Sequence, residues 1–131
     1  MRVSVLSIPV RDQEKALKFY TEVLGFVKKM DAPISETSRW ITVVPKDEQD
    51  GTQILLEPAP VHFEPSKVFQ DAIFEAGIPW TQFDVENVEE EYERLTGMGV
   101  EFSVEPTVMG TVKIAVFNDT CHNYIQLVET L

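Results

Sequence analysis

Cysteine, histidine and positive charge are what this sequence has little of. A single cysteine, Cys121, stands among 131 residues, so no intrachain disulfide can form. That usage suits a reducing, cytoplasmic setting. Only two histidines are present, His62 and His122, which leaves little material for a transition-metal centre. Eleven basic residues face 22 acidic ones, a formal net charge of −11. A surface that negative repels phosphate backbones and anionic lipids, so nucleic acid and membrane are poor partners. No apolar run approaches the ~20 residues of a membrane span. The opening MRVSVLSIPVRD meets charge too soon for a signal peptide. What remains is ordinary globular composition, 44% hydrophobic and 25% charged, at a length that suits one domain.

Periodicity divides the chain into strands and helices. Val3, Val5, Ile8 and Val10 mark a β-rich opening stretch, with Pro9 suiting a strand end or an edge. Asp12 is a candidate N-cap. Ala16, Leu17, Tyr20, Val23 and Leu24 then recur at helical spacing over residues 13–24, and Gly25 supplies the stop. Three strands follow: Phe26–Met30, Arg39–Val44 and Gln53–Glu57, with residues 46–51 as a loop. Pro58, Pro60 and Pro65 make residues 58–67 a connector rather than a strand or helix interior. Residues 67–76 allow a helical turn or two before Gly77. The pattern then restarts with a strand at Trp80–Val85 and a helix beginning near Asn87, closed by Gly97 and Gly99. Strands at Val100–Val104, Thr111–Phe117 and Tyr124–Val128 complete it.

The restart is a repeat. Val10 and Val85 each end a strand just before a helix, and they lie 75 residues apart. Leu24-Gly25-Phe26 and Met98-Gly99-Val100 lie 74 apart, and Gln53-Ile54-Leu55 and Gln126-Leu127-Val128 lie 73 apart. The chain therefore reads as α+β, with two tandem strand–helix–strands units. Module one covers residues 1–58, a connector 59–77, and module two 78–131. A sheet with one bare face must bury it, so two halves gain by being paired.

Residues 8–26, IPVRDQEKALKFYTEVLGF, resemble the opening helix signature of the glyoxalase/bleomycin-resistance/extradiol-dioxygenase group, the vicinal oxygen chelate superfamily. VENVEEEYERLTGMGVEF at 85–102 resembles the second-module counterpart. FNDTCHNYIQLVE at 117–129 resembles the closing hairpin, with Asp119-Thr120-Cys121-His122-Asn123 where the family usually has Asp-Pro-Asp-Gly-Asn. The resemblance implies two βαβββ modules that curve into an open, barrel-like cup holding a small molecule. Homodimers are common in such proteins, and one is expected here. Metal-using members place one ligand on the first and one on the last strand of each module. Members that bind antibiotics keep the cup and omit the metal.

Carried over residue by residue, the first-strand ligand positions fall on Val5 and Trp80, neither of which offers a lone pair. The last-strand positions fall on Gln126 in module two and on Gln53, Leu55 or Glu57 in module one, depending on register. A catalytic zinc site wants three ligands from His, Cys, Asp or Glu, and a non-heme iron site wants two His and a carboxylate. Neither His62 nor His122 stands at an inherited position. The expectation is therefore a small-molecule-binding cup with no metal and no other cofactor. It would be lined by Val5, Gln53, Trp80 and Gln126, with Trp80 stacking on the ligand and the glutamines orienting it. Arg39 is a candidate clamp for an anionic ligand, against the commoner reading of a surface arginine. The alternative is a lyase or isomerase of glyoxalase I type, metal-dependent, with Glu57 as general base. An extradiol-type dioxygenase is further off, because the histidines are too few.

Overall fold

The alternating stretches become strands and the 3.6-period stretches become helices in the computed structural model, which describes residues 1–131. The chain forms two compact units, Met1–Val68 and Phe69–Leu131. Unit one runs β1 (Val5–Pro9), α1 (Gln13–Lys18), β2 (Val27–Pro33), β3 (Arg39–Val44), β4 (Gln53–Glu57) and α2 (Ala59–His62). The chain passes from one unit to the other within α3 (Glu64–Glu75). Unit two runs β5 (Pro79–Asp84), α4 (Val88–Gly97), β6 (Phe102–Met109), β7 (Val112–Asn118) and β8 (Tyr124–Thr130).

The sheet orders are β1-β4-β3-β2 in unit one and β5-β8-β7-β6 in unit two. In each, the first strand pairs parallel with the last, and the remaining pairs are antiparallel. A parallel pair needs a crossover connection, and in each unit the helix begins that crossover.

In unit one, the Asp12 carboxylate accepts from the Lys15 N–H at 3.0 Å and starts α1. The helix does not run to residue 24 as an α-helix. It gives way to a π-helical turn, Phe19–Val23, in which the Leu24 N–H reaches the Phe19 carbonyl at 3.1 Å. That wider turn carries Phe19 and Tyr20, both buried, and Tyr20 meets Phe26 edge-on at 6.2 Å. Gly25 then takes φ +86°, where a side chain is costly, and the Phe26 N–H bonds back to the Tyr20 carbonyl. Helix and sheet are tied by Gln13. Its amide donates to the carbonyls of Arg39 at 2.6 Å and Leu56 at 3.0 Å, and accepts from the Arg39 N–H at 3.0 Å. Ile8, Val10, Ala16, Ile41, Val43 and Leu56 fill the core of this unit. Each of the buried Val, Ile and Leu side chains among them contributes about 1.5–3 kcal/mol relative to exposure.

Unit two repeats the plan with different fastenings. Asn87 caps α4 by accepting from the Glu90 N–H at 3.1 Å, while the Glu129 carboxylate accepts from the Val88 N–H at 2.9 Å. Val88, Leu95, Val100, Ala115, Phe117 and Ile125 are buried. The connector reading needs correction. The prolines of residues 58–67 do not exclude helices there, because Pro60 and Pro65 sit in the first turns of α2 and α3, where a missing N–H costs nothing. Helix α3 is also three turns long rather than one or two. Its Gln70 is almost wholly buried and donates to the Cys121 carbonyl and to Asn123, each at 3.1 Å.

Candidate functional site

Backbone register fixes which positions of the two units correspond. The Val10 N–H donates to the Glu57 carbonyl at 2.9 Å, and the Val85 N–H to the Val128 carbonyl at 2.9 Å. Val10 therefore matches Val85, 75 residues on, and Glu57 matches Val128, 71 residues on. Stepping back along both strands, Ser7 pairs with Leu55 in unit one where Gln82 pairs with Gln126 in unit two. On the next strand Thr42 pairs with Leu55, and Val116 with Gln126. Directly paired residues share a sheet face, so each sheet carries one strip across its middle. It reads Ser7, Leu55, Thr42 in unit one and Gln82, Gln126, Val116 in unit two.

This register selects among the three module-one positions that the sequence left open. The counterpart of Gln126 is Leu55, and not Gln53 or Glu57. Gln53 matches Tyr124 instead and pairs with Val5. The spacing of 73 seen in the sequence aligned two similar-looking strings whose structural offset is 71. Leu55 is 5% exposed and offers only hydrocarbon.

The other predicted residues are placed as follows. Val5 is half-buried at the start of β1. Gln53 accepts from the Thr42 hydroxyl at 2.6 Å. Gln126 donates from Nε2 to Oε1 of Gln82 at 3.2 Å. Gln82 escaped the sequence reading. Only the cross-strand pairing of β5 with β8 sets it beside Gln126. Trp80 does not follow the simple alternation that the sequence suggested. The register of β5 on β8 shifts between Pro79 and Thr81, leaving Trp80 as the extra residue of a bulge. Its ring stands edge-on to Phe69 at 5.7 Å. Glu57 is half-buried at the end of β4, paired with Pro9.

Arg39 does not form an open clamp. Its guanidinium donates to Asp31 at 2.7 and 3.1 Å and to Glu14 at 2.8 Å. Those two carboxylates raise its pKa further above the usual arginine range. In return, the hydrogen bonds from Arg39 hold Asp31 below its ordinary value against the opposing effect of burial, with the charge of Arg39 and a lesser contribution from Lys28 acting the same way as those bonds. The guanidinium thus braces β2, β3 and α1.

The histidines stay apart in sequence and in role. His62 Nε2 lies 3.0 Å from the Ser38 hydroxyl in unit one. In unit two, His122 Nε2 comes within 2.9 Å of an Asp71 oxygen but off the line of a hydrogen bond. The His122 ring stacks on Phe74 at 4.1 Å. No three His, Cys, Asp or Glu side chains gather so as to hold a metal ion.

A family model described as the Glyoxalase/Bleomycin resistance protein/Dioxygenase superfamily matches residues 2–127. This chain belongs to that superfamily. The YurT protein of Bacillus subtilis strain 168 is 52% identical over 129 residues, covering 98% of this chain and 99% of YurT. Among solved structures, UcmS2 is 38% identical with a TM-score of 0.84, covering 99% of this chain and 98% of that one. TnmS3, an antibiotic binding protein from Streptomyces sp. CB03234, is 26% identical with a TM-score of 0.75, covering 100% and 97%. The superfamily fold and the α+β class inferred from the helix signatures are those of this protein. No helix is long and apolar enough to cross a membrane.

The resemblance carries the ligand positions of metal-using members onto Val5 and Trp80, and the register makes Leu55 and Gln126 the corresponding last-strand residues. Three of the four carry hydrocarbon or indole. The fourth is a neutral amide already hydrogen-bonded to Gln82.

Proposed function

We propose that this protein binds a small organic molecule at its superfamily's ligand position, without a metal ion and without chemical turnover. The observation that carries the reading is Leu55 standing where Gln126 stands in the other unit. With Val5 and Trp80, it leaves three inherited coordinating corners without a donor atom. The likeness to an antibiotic binding protein over the whole chain supports the same ligand class. Trp80 supplies an aromatic edge for the ligand. The Gln82–Gln126 pair presents one open N–H donor group and one open acceptor, which orients a polar substituent. We take the working form to be a cytoplasmic homodimer.

The test is a fluorescence titration against a panel of aromatic antibiotics, run beside elemental analysis of protein purified without added metal. Binding that changes tryptophan emission is expected in the native protein. Trp80→Ala loses that change and about fivefold in affinity, the worth of one aromatic contact of ~1 kcal/mol. Glu57→Gln leaves affinity nearly unchanged. One tightly held transition ion per subunit would sink the reading.

A further inference from the structure

Where β1 and β4 begin in sheet one, beside Thr42 of the strip, lies a cavity of about 330 Å3, room for roughly ten waters. It is lined by Arg2, Ser4, Lys29, Asp50 and Gln53, together with Gln49 and Gly51. The lining is rich in donors. Gln53 Oε1 is occupied by the hydroxyl of Thr42, which is fully buried, at 2.6 Å. That bond fixes the amide and leaves its Nε2 donors as what Gln53 offers a ligand. The Arg2 guanidinium and the Ser4 hydroxyl make no side-chain bond within the protein. Lys29 has only Asp50, at 3.4 Å, and Asp50 is fully exposed, so that pair is a weak surface contact. Two cations stand against one carboxylate, a local balance of +1 in a chain whose total is −11.

We propose that this cavity is a binding site for a compact oxyanion, the carboxylate or phosphate group of a small molecule. Arg2 and Lys29 supply charge, and Gln53 and Ser4 supply directed hydrogen bonds. The site goes beyond the ligand position discussed above. It adjoins Val5, which pairs with Gln53, but involves neither Trp80 nor Gln126.

The experiment is an NMR titration of 15N-labelled protein with inorganic phosphate and, separately, acetate, with sodium chloride at matched ionic strength as the reference. Saturable movement of the Gln53 side-chain amide, identified by its loss in Gln53→Glu, is expected with at least one of the two anions. The tighter of them names the headgroup. Arg2→Gln with Lys29→Gln should weaken binding by about tenfold or more, and Asp50→Asn should tighten it. Trp80→Ala should leave it unchanged, which separates this site from the organic ligand site. These positions are at the surface, so the rest of the amide spectrum should keep its folded dispersion. Chloride reproducing the shift, no saturation with either anion, or an undiminished response in the double variant would each overturn the proposal.

Discussion

The two units share a plan but are fastened differently, and the contrast is clearest in the loops before their last strands. The loop of residues 46–51 in unit one is exposed and held by backbone turns, Glu48 to Pro45 and Gly51 to Glu48. Its counterpart in unit two, residues 119–123, is largely buried around Asp119. The Asp119 carboxylate accepts from the N–H of Cys121 at 2.7 Å, the N–H of Asn123 at 3.1 Å and the Asn123 amide at 3.0 Å. Gln70 of α3 closes the network, and Thr120 and His122 take positive φ inside it. A repeat therefore conserves strand order while each copy finds its own way to satisfy polar groups. The central strips differ in the same manner, one apolar at its middle residue and the other carrying a glutamine pair.

The largest expected consequence concerns these loops. Asp119→Ala leaves buried donors without a charged acceptor and should cost about 3 kcal/mol or more. Asp47→Ala in the exposed loop should stay within about 0.5 kcal/mol. Urea denaturation of the two variants makes the comparison, and equal losses would break it. A middle-sized effect should separate the strips. Leu55→Gln places an amide at a buried site with no reserved partner and should destabilise by about 2 kcal/mol. Gln126→Leu removes a partly exposed amide and should cost under about 0.5 kcal/mol while altering ligand affinity. If both changes proved equally mild, the two strips would be alike in more than register.

The smallest effect belongs to Asp31, whose role in bracing Arg39 is confined to unit one. Its folded pKa lies below its unfolded value near 3.8. The stabilisation is therefore complete above that value and is lost as pH falls through the folded one. Acid titration of stability should show Asp31→Asn losing less than about 1 kcal/mol at neutral pH, and the gap to the native protein closing in acid. A gap that widened toward low pH would contradict the assignment.

Much of the fold was legible before any coordinates. Asp12, Gly25 and Asn87 act locally, and local rules place them. Superfamily membership was legible in the helix signatures, which keep their spacing. The register of module one was not, because Gln53-Ile54-Leu55 and Gln126-Leu127-Val128 look alike while hydrogen bonds align Leu55 with Gln126. The bulge at Trp80 was equally hidden, since alternation in a string carries no mark of an extra residue opposite a neighbouring strand. Arg39 offered the same string whether open to solvent or engaged by Asp31 and Glu14, which lie 8 and 25 residues away.

By itself, the sequence determined the α+β class, the doubled unit and the scarcity of histidine and cysteine. Each depends on composition or on periods within a few turns of chain. Only the tertiary structure decided that Leu55, rather than Gln53 or Glu57, is the counterpart of Gln126. It alone brought Gln82 beside Gln126, closed Arg39 with carboxylates and gathered Arg2, Lys29 and Gln53 around one cavity. Those outcomes depend on which backbone groups pair across strands, and such pairing is settled by the packing of the whole sheet rather than by any short stretch of residues.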